Sequence, residues 1–170
     1  MNKEVMLALW DQFRQIHGVT MRAIERVPDA QVDARPIPGM RSVRELVDHM
    51  YVYVRGVPGA ILRGELREED CPSHAARLAT TNDFLAYARE SFRMADESVA
   101  KMEDRHLAEP IPTFFGREIP GSGLIQIVYD EHLHHRGQFY AYLRVLGVAP
   151  PFIWSFPENA PEYQPRVMRT

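Results

Sequence analysis

Between positions 131 and 135 the chain reads EHLHH, one carboxylate and three imidazoles within five residues. Side chains of these types, brought to one face of a helix, can hold a divalent cation, because an i, i+4 pair delivers two ligands to one ion. Glu131 and His135 have that spacing. At about 100° per residue, Leu124, Val128, Phe139, Tyr142 and Leu146 fall within roughly 40° of His135, so His135 points to the apolar side of its helix. Glu131 stands one turn earlier on the same stripe. His132 lies on the other flank, roughly 60° round, and His134 at the edge. A carboxylate turned into a core costs several kcal/mol, on the order of 3 to 5, unless something compensates it. A metal ion is one compensation, and a buried hydrogen-bonded network with a histidine or an arginine is another.

A third ligand must come from a different element. His49 sits in "SVRELVDHMYVY", at the edge of an apolar arc that includes Leu46 and Tyr53. His17 sits among Met6, Trp10, Phe13, Met21 and Ile24 on the first helix. Spacing leaves both open. His74 and His106 fall in connections and read as ordinary surface residues.

The elements that must position these groups are four amphipathic helices. The first spans about Asn2 to Val27 and ends before Pro28. The second starts at Ser42, whose hydroxyl and the Glu45 carboxylate three residues on form a capping box. It reaches about Arg63, with Gly56, Pro58 and Gly59 predicting a kink or an early end. The third runs from about Asn82 to Asp104, with Phe84, Ala88, Phe92 and Ala95 on its apolar side. "HLAEPIPTFFGREIPGSG" is too rich in proline and glycine to be helical, and Ile111 to Ile119 folds into a short hairpin about Gly116. The fourth helix follows Gly121-Ser122 and stops at Gly147. The tail beyond about residue 148 carries Phe152, Ile153, Trp154 and Phe156, which are expected to pack on the bundle. The expected architecture is an all-α four-helix bundle forming one domain over residues 1–170.

Composition narrows the function classes. The 170 residues are 45% hydrophobic and 25% charged, with a net charge of -3, the balance of a globular chain without the basic surface that nucleic acid requires. With Cys71 as the only cysteine, no internal disulfide forms and a reducing cytoplasm is the expected compartment. No apolar run approaches the roughly 20 residues that span a bilayer, and the first residues lack a signal-peptide pattern.

"HHRGQFYAYLRVLG", His134 to Gly147, resembles the signature of the DinB/YfiT-like family, which is associated with metal-dependent enzymes. The capped second helix with its one histidine and the broken loop "PTFFGREIPGSG" agree in order. The resemblance implies an up-down-down-up bundle, often dimeric, in which three histidines hold a divalent metal, commonly nickel or zinc, with iron or manganese as further candidates. One histidine comes from the second helix, matching His49, and two from the fourth, of which the later matches His135. The earlier falls on Glu131, a departure from the family pattern. The expected ligand set is therefore His49, Glu131 and His135, with His132 as the alternative to Glu131. Gln138 is expected to orient a ligand, Arg136 to bridge to a neighbouring element, and Gly137 to admit another backbone. Tyr53, Phe139, Tyr142 and the tail aromatics are expected to wall a pocket. The resemblance implies a metal-dependent hydrolase or a thiol-dependent transferase acting on a small molecule. The alternative is a non-catalytic bundle that binds a ligand or partner through a metal-free polar core.

Overall fold

The computed structural model describes residues 1–166. Four long helices carry the fold: α1 (Lys3–Ile24), α2 (Val43–Arg63), α3 (Thr81–Lys101) and α5 (Gly121–Val145), with a short α4 (Asp104–Ala108) after α3. Between α4 and α5, β1 (Pro110–Pro112) and β2 (Glu118–Pro120) form an antiparallel hairpin, pairing Ile111 with Ile119. The predicted turn at Gly116 is present, with φ of 76°.

The helices α1, α2 and α3 begin where the sequence supplies a side-chain acceptor for orphan amides. Asn2 Oδ1 accepts from the Val5 amide at 3.0 Å, and the Ser42–Glu45 capping box is formed at the start of α2. Thr80 and Asp83 make the equivalent box for α3. Gly64 and Gly147 close α2 and α5 in left-handed conformations that other residues adopt at a cost.

The helix α2 does not break at Gly56, Pro58 and Gly59. It continues to Arg63, with Val57, Pro58 and Ala60 buried. It packs against both α3 and α5, and this two-sided burial outweighs the roughly 3 kcal/mol that an interior proline costs. In turn, α1 packs against the same two helices, so α1 and α2 face each other diagonally across the core. Phe13, Tyr51, Phe84, Phe139 and Tyr142 fill that core without exposure.

The tail differs from expectation. Phe152, Ile153 and Trp154 are exposed, Trp154 at 59%. The tail is held instead by polar contacts to α1: Arg22 donates to the Ser155 carbonyl at 2.6 Å and pairs with Glu158 at 2.5 Å, and Asn159 Nδ2 donates to the Gln15 carbonyl at 2.8 Å. Tyr163 then buries its ring edge-on to His17. Aromatic content marked a segment that packs; it did not mark the residues that do the packing. Residues 167–170 of that predicted tail lie outside the described ones.

Candidate metal centre

His135 and Glu131 project from α5 one turn apart, and His49 projects from the facing α2. One donor atom from each lies within 4.8 Å of the other two. The His49 and His135 rings meet edge to face, with centroids 4.4 Å apart. His135 Nδ1 donates to Gln138 Oε1 at 3.0 Å, and Gln138 Nε2 donates in turn to His134 Nε2 at 2.9 Å. That chain fixes the ring and leaves the Nε2 lone pair of His135 turned toward Glu131 Oε2, 3.2 Å away. Two lone pairs face one another there unless a proton or a cation lies between them.

Burial of His49, followed by the nearby positive charge of Arg41, lowers its pKa and favours the neutral imidazole that a metal requires. The donor set therefore fits a divalent ion: two imidazoles and one carboxylate, with room for further ligands from the cleft.

Glu131 is not in the core. Its side chain is 42% exposed, so the desolvation cost that the helical stripe predicts is largely absent, and the carboxylate stands at the mouth of the site. His132 takes the interior position instead. It is fully buried, with Nδ1 against the Met50 carbonyl at 3.3 Å and Nε2 against Thr20 Oγ1 at 3.2 Å. Burial, reinforced by Arg136, pushes its pKa down to about 3, and both ring nitrogens are already engaged. His17 is buried too and bonds Tyr51 Oη through Nδ1 at 2.9 Å, away from the three clustered groups.

A cleft of about 380 Å³ opens beside His49, lined by Tyr53, Cys71, Ser73 and Phe114 among others. Of the predicted walls, Tyr53 is present. Phe139 is sealed in the core, Tyr142 lines a neighbouring groove, and the tail aromatics line neither. Cys71 and Phe114 come from connections whose position the sequence pattern could not indicate. The Cys71 loop reaches the cleft because Gly56 has no side chain, since a Cβ there would collide with the Asp70 carbonyl. Gly137, by contrast, faces open space and admits no other backbone. Arg136 lies over the Tyr140 ring of its own helix at 6.0 Å.

A helical bundle with two imidazoles and a carboxylate converging between α2 and α5 is thus the class that fold and site define. The chain belongs to the DinB family, whose model matches residues 1–164. It is 22% identical to the uncharacterized protein YjoA of Bacillus subtilis (strain 168) over 140 residues, covering 79% of this chain and 86% of that one. The crystal structure of that DinB-like protein superposes with a TM-score of 0.69 at 20% identity, covering 95% of this chain and 99% of that one. A DinB-like protein from Bacillus cereus ATCC 10987 gives 0.70 at 19% identity over 91% of this chain and all of the other. A member from Exiguobacterium sibiricum 255-15 gives 0.56 at 25% identity over 81% and 92%.

Proposed function

We propose that this chain is a divalent-metal-binding protein that uses His49, Glu131 and His135 to hold nickel, zinc, iron or manganese, and that it acts as a metal-dependent hydrolase or thiol-dependent transferase on a small molecule. The observation that carries the reading is the convergence of three donor atoms within 4.8 Å, with the His135 lone pair aimed at a carboxylate oxygen. Bound there, such an ion supplies Lewis acidity and makes water or a thiol nucleophilic near neutral pH. The chain's own residues do the rest. Gln138 holds the His135 tautomer, burial favours the neutral form of His49, and Tyr53 and Phe114 give the cleft an apolar wall. Burial and the Asp70 charge push the Cys71 thiol up to about 11, so Cys71 is no nucleophile at neutral pH and a reacting thiol would come from the substrate. The reading extends to a cytoplasmic homodimer that binds neither nucleic acid nor membrane; no helix among the described residues is long and apolar enough to cross a membrane.

A second reading is favoured by the same contact. A protonated His135 would make an ion pair with Glu131 at 3.2 Å, leaving a metal-free bundle that binds a ligand or partner. Elemental analysis of untagged protein purified without chelator separates the two. About one ion per chain, lost in His135→Ala with the helical circular dichroism retained, supports the first. No ion after incubation with each of the four metals overturns it.

A further inference from the structure

We propose that Arg41 is the specificity-determining residue of this site: it binds the carboxylate of a small monoanionic substrate whose other end reaches the metal. The inference rests on the metal reading above.

Two grooves lie beside the site, the first lined by His49 and the second by Gln138, the hydrogen-bond partner of His135. One opens on the His49 side and also holds Tyr53 and Phe114; the other, about 460 Å³, opens on the side of Gln138 and Tyr142. Arg41 and Glu45 line both, so they stand where the grooves meet. Glu45 is already engaged, with one oxygen on Arg35 at 2.6 Å and the other accepting the Ser42 amide at 2.9 Å. Arg35 is thereby neutralised. Arg41 makes no ion pair among the described residues and its side chain is exposed to the grooves. It is the free charge at the junction.

Its position is also fixed. Tyr142, buried in the core, donates its hydroxyl to the Arg41 carbonyl at 2.7 Å, which anchors the backbone while leaving the guanidinium to solvent. Arg41 immediately precedes the N-cap of α2, the end of a helix where positive charge is disfavoured. The first amides of α2 are not available to an anion either, because those of Val43, Arg44 and Glu45 bond the Ala34 and Val32 carbonyls and the Ser42 hydroxyl. Arg41, without an ion pair among the described residues, is the cation here that an anion can engage without displacing an existing partner.

The charge of that anion follows from the neighbours. Asp48, beside His49 in the same cleft, is committed to Ser73 Oγ at 2.6 Å and the His74 amide at 2.9 Å, and Glu45 is committed as above. Both keep negative charge near the groove. A single guanidinium in that setting suits a monoanion, which it can bind through two parallel hydrogen bonds, better than a dianionic phosphate.

The test uses cobalt-loaded full-length protein and three small thiols that differ in one terminal group: mercaptopropionate, mercaptoethanol and thiocholine, whose quaternary nitrogen cannot ligate the metal. Thiolate-to-cobalt absorption reports the affinity of each without any turnover. Mercaptopropionate is expected to bind about fivefold more tightly than mercaptoethanol at low ionic strength, with thiocholine weakest, and the preference to shrink as salt is added. In Arg41→Gln the preference falls to near unity, while Arg41→Lys keeps part of it. If cobalt binds but the three thiols bind alike, or Arg41→Gln retains the preference, Arg41 has no such role and the metal reading stands. If cobalt itself does not bind, the metal reading and this inference fall together.

Discussion

His135 Nε2 and Glu131 Oε2 lie 3.2 Å apart on successive turns of α5, while the opposite nitrogen of the same ring is held by Gln138. This contact makes the site depend on whatever sits between nitrogen and oxygen. A metal ion satisfies both groups, and so does a proton, but the two answers respond differently to substitution.

Glu131→Gln keeps the shape and removes the charge. If a metal is held, the variant should lose metal affinity by at least about tenfold, since a neutral amide oxygen is a much poorer ligand for a divalent ion than a carboxylate. Because the side chain is half exposed, the fold should change in stability by less than about 1 kcal/mol. Isothermal titration with zinc or nickel, paired with urea unfolding of the metal-free protein, measures both. Equal metal affinity in the variant would remove Glu131 from the site.

Gln138→Ala cuts the tie to His135 Nδ1 without touching a donor atom. The ring is then free to rotate and to change tautomer, and partners of this kind are worth about 10- to 100-fold in metal affinity. The same titration reads the loss. Gln138→Glu should keep most of the affinity, because a carboxylate also accepts the Nδ1 proton and strengthens Nε2 as a donor. An alanine variant that binds metal as tightly as the parent would show that the ring is held by packing alone.

The helical stripe on α5 was enough to group Glu131 with His135, whereas spacing left His49 and His17 both open as the third ligand and only the family resemblance selected His49. The stripe did not say which side of it was deepest. His132, assigned to a flank, is buried among Phe13, Tyr51 and Thr20, whereas Glu131 reaches solvent. Depth depends on where α1 lies against α5, and a single helix's period carries no information about its neighbour. Arg41, Cys71 and Phe114 were illegible as groove residues for the same reason: each lies at the end of an element or in a connection, placed by contacts distant in sequence. The tail was misjudged through composition, since Asn159 and Arg22 fix it more than its exposed aromatics do.

His17 links this core to pH. Burial, then the nearby His132 ring and the charges of Arg14 and Arg89, hold its pKa well below the ordinary value, so the folded chain keeps the ring neutral. Unfolded, it takes up a proton near pH 6.5. The unfolded state therefore binds more protons below that pH, and the stability present above about 6.5 is lost as pH falls, by roughly 1 kcal/mol per unit for one such histidine. His132, whose folded value is about 3, adds in the same direction down to that value. Urea midpoints between about pH 5 and pH 7 should fall with acid, and the slope should lessen in His17→Gln. A flat profile would mean that these rings take up protons in the folded chain.

Gly18 shows how the tail is seated. A Cβ at that position would come within 2.6 Å of the Asn159 side chain and 2.8 Å of Tyr163 Cβ, and both are held, Asn159 by the Gln15 carbonyl and Tyr163 by its packing on His17 and Phe92. Gly18→Ala should gain helix propensity within α1, by about 1 kcal/mol, yet lose the tail contacts. Where both neighbours are fixed the clash dominates, as overpacking by one methyl does elsewhere at about 1 to 3 kcal/mol. The expected outcome is a net loss of stability, together with faster proteolytic cleavage between residues 150 and 165. Removing the opposing group as well, in Gly18→Ala with Asn159→Ala, should relieve part of the clash, so the paired change costs less than the sum of the single ones. A Gly18→Ala variant more stable than the parent, with its tail equally protected, would mean that the tail contacts contribute too little to oppose one residue's helix propensity.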